Sequence, residues 1–294
     1  MPPLCPMQSA TCYLNGEFLP LAAAKVSVLD RGFIFGDGVY EVIPVYGRKA
    51  FRLNHHLQRL QNSLDAIRID NPLSNQEWQQ IIDTLIEQNE GDEQSIYLHV
   101  TRGVAQRDHA FPAYTPATVF LMSNPLLAPE PTTVALGIKA VTLPDIRWLN
   151  CHIKAISLLP NILFRQQAID SGSDEAILIR DGMATEGAAS NLFIVKDGVI
   201  ITPPKGSQLL PGITRDLIVE LAQQHQLNCE EREITEQQLF DADEIWISSS
   251  TKEVVPVLEL NQQTVGGGQP GPVWKQIYLL YQAMKQELRN GQHK

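Results

Sequence analysis

Lys154 stands in the stretch Trp148-Leu-Asn-Cys-His-Ile-Lys-Ala-Ile-Ser-Leu-Leu159, which is rich in apolar side chains and poor in charge. A lysine amine desolvated in such surroundings has a lowered pKa and becomes a nucleophile able to form a Schiff base with a carbonyl. The same spacing also suits a lysine at a helix start whose stem lies along apolar neighbours while its head stays in water. Glu186 lies in Thr185-Glu-Gly-Ala-Ala-Ser-Asn191. Its small neighbours would let a planar ligand approach the backbone, and the carboxylate could then keep a ring nitrogen protonated; a simple turn reads equally well. Leu210-Pro-Gly-Ile-Thr-Arg-Asp216 places Gly212, Ile213 and Thr214 at the start of an amphipathic helix. Free backbone N–H groups and the helix dipole favour an anion there, although Thr214 can also serve as a plain cap. Ser248-Ser-Ser-Thr251 offers four hydroxyls at a strand end, either for the same anion or for a polar turn. Thr101–Pro112 ends a strand and enters a loop carrying Arg107 and His109. Arginine supplies a two-pronged donor for a carboxylate, unless Asp108 between them neutralises the pair in a solvated loop.

Residues 30–42 read Asp-Arg-Gly-Phe-Ile-Phe-Gly-Asp-Gly-Val-Tyr-Glu-Val. Asp30, Arg31, Asp37 and Glu41 are set among Phe33, Ile34, Phe35, Val39 and Tyr40. Charges buried in an apolar run must be paired. Gly32, Gly36 and Gly38 imply backbone that other residues resist, or close approach of another chain or a ligand. A surface hairpin with solvated charges is the plainer alternative.

The elements that must position these residues can be read in outline. The chain has 294 residues, 44% of them hydrophobic and 19% charged, which is enough for about two domains. No apolar run reaches membrane-spanning length, and the first residues lack the pattern of a secretory signal. Four scattered cysteines (Cys5, Cys12, Cys151, Cys229) have no metal-ligand spacing and fit free thiols in the cytoplasm; no metal is expected. A formal charge of −10 argues against general nucleic-acid binding and requires a locally positive pocket for any anionic substrate. Short strands are expected over residues 12–50, then helices over 54–69, with Asn54 as cap, and after the capping box Ser74-x-x-Glu77. A strand follows at 95–102. Prolines disfavour regular structure over 123–132, the expected linker between a small N-terminal domain (1–122) and a larger C-terminal one (133–294). Beyond it the pattern predicts a strand at 134–142, a helix at 154–170, and hairpin strands at 176–180, 192–195 and 199–202. Helices near 213–225 and 235–240, a strand at 244–248 and a terminal helix complete the chain. The fold class is α/β (mixed α+β): two lobes with largely antiparallel sheets, not the regular alternation of a doubly wound sheet.

Taken in register, seven stretches resemble the class IV pyridoxal-phosphate aminotransferases, and among them the bacterial D-amino acid (D-alanine) aminotransferases. They are DRGFIFGDGVYEV, the helix segment Asn54-His-His-Leu-Gln-Arg59-Leu60, YLHVTRGVAQRDHAFP, DIRWLNCHIKAISLL, TEGAASN, LPGITRD and the SSST strand end. The resemblance runs from about Tyr13 to Glu287. It implies two α/β domains of fold type IV with the cofactor, pyridoxal 5'-phosphate, between them. Lys154 would hold the cofactor as a Schiff base and carry out the 1,3-proton shift. Glu186 would pair with the pyridine nitrogen; Arg59, Ile213 and Thr214 would bind the phosphate, with Ser249 and Ser250 behind them. Tyr40, Arg107 and His109 would hold the substrate α-carboxylate, the latter two coming from the partner subunit of a homodimer. The activity implied is transamination between a D-amino acid and a 2-oxo acid, of the D-alanine/2-oxoglutarate type. Branched-chain L-amino acid aminotransferase, aminodeoxychorismate lyase and (R)-amine transaminase share the fold. A non-catalytic pyridoxal-phosphate carrier, or a hydrolase built on Asp37, Glu41 and Glu186, would be readings of another class. Two departures stand out. Ala188-Ala189 replace a serine-rich stretch, leaving Ser190, and Asp108 adjoins the carboxylate-binding pair; strand-to-loop alternation is expected to turn it to the opposite side.

Overall fold

The computed structural model describes residues 10–127, 134 and 136–291. Residues 128–132 of the expected linker, and the first residues with Cys5, lie outside the described residues. The chain clusters into two compact units. Among the described residues, the first takes 10–127, 153–157 and 287–291, and the second takes the rest.

The first unit is a six-stranded antiparallel sheet with one short and two long α-helices. Its elements are β1 (Thr11–Leu14), β2 (Glu17–Pro20), α1 (Arg31–Phe35), β3 (Gly38–Tyr46), β4 (Lys49–Ala50), α2 (Leu53–Ala66), α3 (Asn75–Gln88), β5 (Gln94–Thr101) and β6 (Thr118–Pro125). The strand order is β2-β1-β6-β5-β3-β4. Both long helices are amphipathic, and Leu57, Leu60, Leu64, Trp78, Ile82 and Leu85 meet Ile43, Ile96, Leu98 and Val100 of the strands in one core. The capping box at Ser74 and Glu77 forms as the sequence predicts. The start of α2 differs from expectation: it is set at Arg52, which has a left-handed φ of 52° and no side-chain cap, and not at Asn54. Residues 123–125 of the expected linker are the last of β6, paired with Gln94–Ile96 of β5.

The run at 30–42 is neither hairpin nor open loop. Asp30 caps the single turn of α1 by accepting from the Gly32 amide at 2.8 Å, and it also accepts the Thr118 hydroxyl at 2.6 Å. Gly36, at φ 67°, ends the turn, and β3 begins at once.

The second unit is built on a ten-stranded sheet. It contains β7 (Ile138–Pro144), α4 (Leu159–Asp170), β8 (Glu175–Arg180), β9 (Met183–Gly187), β10 (Asn191–Lys196), β11 (Val199–Thr202), α5 (Ile213–Gln224), β12 (Cys229–Glu231), β13 (Ile234–Thr235), α6 (Glu236–Phe240), β14 (Glu244–Ser249), β15 (Glu253–Leu260), β16 (Gln263–Thr264) and α7 (Pro272–Arg289). The strand path is β12-β11-β10-β14-β15-β7-β8-β9-β13, with β16 on β15. Pairing is mostly antiparallel; β11–β12, β15–β7 and β7–β8 run parallel. The helix predicted over 154–170 begins only at Leu159, so Lys154 is not helical. It buries Phe164 and Ala168, while Leu159, Ile162 and Leu163, the periodic apolar residues, stay exposed.

Candidate active site

In the first unit the sequence-predicted residues assemble around the start of β3. The segment 153–157 lies along that strand end: the Tyr40 amide donates to the Lys154 carbonyl at 3.0 Å, and the Ile156 amide donates to the Gly38 carbonyl at 3.1 Å. The glycines are what allow this. A Cβ on Gly36 would stand 2.7 Å from Ser157 Oγ, and one on Gly38 would stand 2.5 Å from the Val100 carbonyl and 3.0 Å from Ile156 Cδ1. At Gly36, and in part at Gly38, the close approach is that of the lysine's own segment. Lys154 Nζ sits 4.0 Å from the centroid of the Tyr40 ring, which packs on Tyr97. Burial pushes the Tyr97 hydroxyl up to about 12, and that hydroxyl is hydrogen-bonded to His99 Nδ1 at 2.8 Å.

One face of α2 supplies the rest. His56, Arg59 and Ser63 are spaced to share it, and all three are buried. The Lys154 amide donates to Ser63 Oγ at 3.2 Å. Arg59 forms a two-pronged pair with the fully buried Glu41, Nε to Oε1 and Nη2 to Oε2, both at 2.7 Å. His56 Nδ1 lies 2.8 Å from Glu41 Oε2. Burial alone would raise the Glu41 carboxyl, but the Arg59 guanidinium and His56 hold it far below its ordinary value. An ionised carboxylate only accepts, so His56 donates from Nδ1. Burial lowers the His56 pKa, and its Nε2 is buried without a partner among the described residues.

Arg107 and His109 are exposed and both flank Phe35 of α1. The Arg107 guanidinium carbon is 5.5 Å from the Phe35 centroid, and the His109 ring is 5.4 Å from it. The Asp108 carboxylate accepts the Ala110 amide at 3.1 Å.

In the second unit Glu186 is the next-to-last residue of β9 and is buried. Its Oε1 accepts from Arg147 Nη1, and its Oε2 accepts from Asn191 Nδ2 at 3.1 Å and the Leu210 amide at 3.0 Å. Burial pushes this carboxyl up to about 7 even with the Arg147 guanidinium beside it. Arg147 is in turn held by Asp145, Nε to Oδ1 and Nη2 to Oδ2, both at 2.9 Å, and Asp145 also pairs with Arg180 at 2.9 Å. Asn191 spans two loops, donating to Glu186 and to the Leu210 carbonyl at 2.8 Å. A Cβ on Gly212 would fall 1.9 Å from Asn191 Oδ1, so only glycine fits at that turn. Gly212 provides no side-chain cap for α5, and the first turn at Ile213 and Thr214 presents buried backbone without one.

Ser249 Oγ accepts the Lys252 amide at 3.1 Å, and Ser248 Oγ is buried without a partner among the described residues. Ser250 lies in the turn that follows β14. The departure at Ala188 has a local explanation. Ala188 lies in an apolar cluster with Phe164, Ala168, Ala176 and Leu178, where a hydroxyl would lack a partner. Ser190 is occupied, donating to Glu175 Oε2 at 3.1 Å. Sequence reading missed Arg147, Asp145 and Asn191. The only available signal was that a buried Glu186 would need a cation, and Arg147 lies 39 residues away along the chain.

These residues fit a pyridine cofactor carrying a phosphate. Glu186 accepts three donors on a group with about four lone-pair sites, which leaves room for one more donor. A carboxyl raised by burial would be stabilised as carboxylate by a further positive partner. The uncapped helix start and the partnerless Ser248 hydroxyl supply donors for an anion.

Comparison with known proteins agrees with this chemistry. The family model described as Amino-transferase class IV matches residues 38–260. The chain is 40% identical over 263 residues to D-alanine aminotransferase of Bacillus licheniformis, covering 90% of this chain and 93% of that protein. Among solved structures it is similar to the branched-chain amino acid aminotransferase of Escherichia coli, with TM-score 0.88, 30% identity, and 97% and 96% of the two chains covered. A second branched-chain amino acid aminotransferase, from T.th. and solved with pyridoxamine 5'-phosphate, superposes with TM-score 0.87 at 27% identity over 97% and 95% of the chains.

Proposed function

The chain belongs to the class IV aminotransferases, and from that premise we propose that it transfers the amino group of a D-amino acid, D-alanine in type, to a 2-oxo acid such as 2-oxoglutarate. The observation that carries the reading is Lys154 pinned at both backbone groups beside Tyr40 while Glu186 is buried with a lone-pair site to spare. The level of identity to a D-alanine aminotransferase, over nine-tenths of the chain, favours the D-amino acid side of the family.

Pyridoxal phosphate, when bound, supplies an electron sink for the pair left by cleavage of the Cα–H bond. Lys154 would hold the cofactor through its amine and, once displaced, move the proton at Cα as base and then acid. Glu186 would hold the proton at the pyridine nitrogen. Asn191 and the Leu210 amide keep Glu186 aimed, and the Arg147 guanidinium favours its ionised form against the effect of burial. Ile213 and Thr214 would bind the phosphate through the α5 N-terminus, with Ser249 and Ser250 adding hydroxyls. Arg59, already fixed by Glu41, would approach the phosphate as a preoriented cation. Tyr40, Arg107 and His109 would orient the α-carboxylate so that the D-isomer's hydrogen faces the amine; in a homodimer the last two would serve the partner's site.

A single-turnover panel tests this: D-alanine, D-glutamate, L-leucine, L-glutamate and (R)-1-phenylethylamine are mixed with holoenzyme and loss of visible cofactor absorbance is timed. D-alanine or D-glutamate should react fastest. Faster reaction of L-leucine would move the chain to the branched-chain group. Borohydride treatment and peptide mass spectrometry should find the cofactor fixed on Lys154; a protein that takes up no pyridoxal phosphate would overturn the reading.

A further inference from the structure

The chain carries a formal charge of −10, yet four arginines and a histidine gather on two aromatic rings of the first unit. Phe35 has the Arg31 guanidinium carbon at 4.9 Å, that of Arg107 at 5.5 Å and the His109 ring at 5.4 Å. Phe111 has Arg102 at 3.7 Å and Arg68 at 4.8 Å. Arg31 differs from Arg107 in being buried, and it is tied on both sides. Its Nε donates to Asp37 Oδ2 at 2.8 Å, and its Nη1 donates to the carbonyls of Asp108 at 2.5 Å and Ala110 at 3.3 Å. Its own amide donates to the Gly103 carbonyl at 2.9 Å. Arg31 thus grips the 103–110 loop at both ends, while Phe35, one helical turn on, offers a face to the two side chains that loop carries.

We propose that Arg31 and Phe35 are positioning residues that set the Arg107–His109 grip and thereby govern affinity for the substrate carboxylate. The inference rests on the reading of Arg107 and His109 given above. Without the Arg31 bonds, the Asp108 and Ala110 carbonyls lose the donor that fixes the loop's path. Without the ring, the Arg107 guanidinium and the His109 imidazole lose the surface that holds them side by side. Cofactor binding has no part in either contact, so the effect belongs to substrate affinity.

The test uses holoenzyme with D-alanine as donor and 2-oxoglutarate as acceptor, comparing Phe35→Leu, Phe35→Tyr, Arg31→Met and Arg107→Ala. Phe35→Leu and Arg31→Met should raise KM for D-alanine about ten-fold, with kcat and cofactor absorbance close to wild type. Phe35→Tyr, which keeps the aromatic face, should restore KM. Hydrogen exchange of the 103–112 peptide should quicken in Arg31→Met, whatever the activity. If Arg107→Ala raises KM while Phe35→Leu and Arg31→Met do not, the positioning role is wrong and the carboxylate reading stands. If Arg107→Ala leaves KM unchanged, the carboxylate reading falls and this inference with it. Should Arg31→Met not fold, the Phe35→Leu and Phe35→Tyr pair decides alone.

Discussion

The residue with the most to reveal by titration is Glu186. Its folded pKa of about 7 lies above the ordinary 4.5, so the folded apoprotein binds more protons than the unfolded chain between those values. The stability tied to this group is therefore present below about 4.5 and is lost as pH rises to about 7. His56 works the other way in part of the same window, because its folded pKa is lowered and stability is lost as pH falls below its unfolded value. The whole-protein curve blends the two, but a difference curve does not. Glu186→Gln should gain stability relative to wild type as pH rises from 5 to 7.5, by roughly 3 kcal/mol at most, read from thermal unfolding of the two apoproteins. A flat difference would show that Arg147 already keeps the group ionised in the absence of cofactor. Lys154 and Glu186 stood out in the sequence as candidates because their neighbours are small or apolar, and only the resemblance gave them roles. Arg147 and Asn191 did not, because a cation and an amide become functional only when a fold brings their partner to them.

At the scale of elements, the join between α1 and β3 shows what glycine accomplishes here. A Cβ on Gly38 meets a backbone carbonyl, Val100 O, at 2.5 Å, and a carbonyl inside a sheet cannot step aside. Gly38→Ala should destabilise by about 2 kcal/mol, lowering the thermal midpoint by several degrees, and should also weaken retention of the Lys154 segment on β3. Gly206→Ala is the control: nothing stands within 4 Å of its Cβ and its φ is not left-handed. An equal loss in both would show that the close approach is not what matters at Gly38. The helix after Ser74 was readable because cap and period agreed. The reading went wrong at 154–158, which is not helical but is a segment bridged to β3. It also passed over β9, a strand whose small residues carry no β-propensity and which is held by pairing to β8. Periodicity reports faces, and cannot say which strand edge will capture a segment.

For the whole molecule, the −10 charge and, on the proposed reading, the exposed Arg107 and His109 would act on an anionic substrate over different distances. The net charge repels dianions such as 2-oxoglutarate from far away, and salt weakens that repulsion strongly, since the Debye length falls from about 30 Å at 0.01 M to about 8 Å at 0.15 M. At contact distance Arg107 would attract a substrate carboxylate by up to about 1 kcal/mol, as exposed ion pairs do, and screening there is slighter than over the long range. Salt therefore removes more repulsion than attraction. The KM for 2-oxoglutarate should fall roughly fivefold between those ionic strengths, whereas the KM for D-alanine, a zwitterion without net charge, should stay nearly constant. Steady-state kinetics in sodium chloride at fixed pH measure both. A KM for 2-oxoglutarate that rises with salt would mean that screening of the contact attraction outweighs relief of the long-range repulsion.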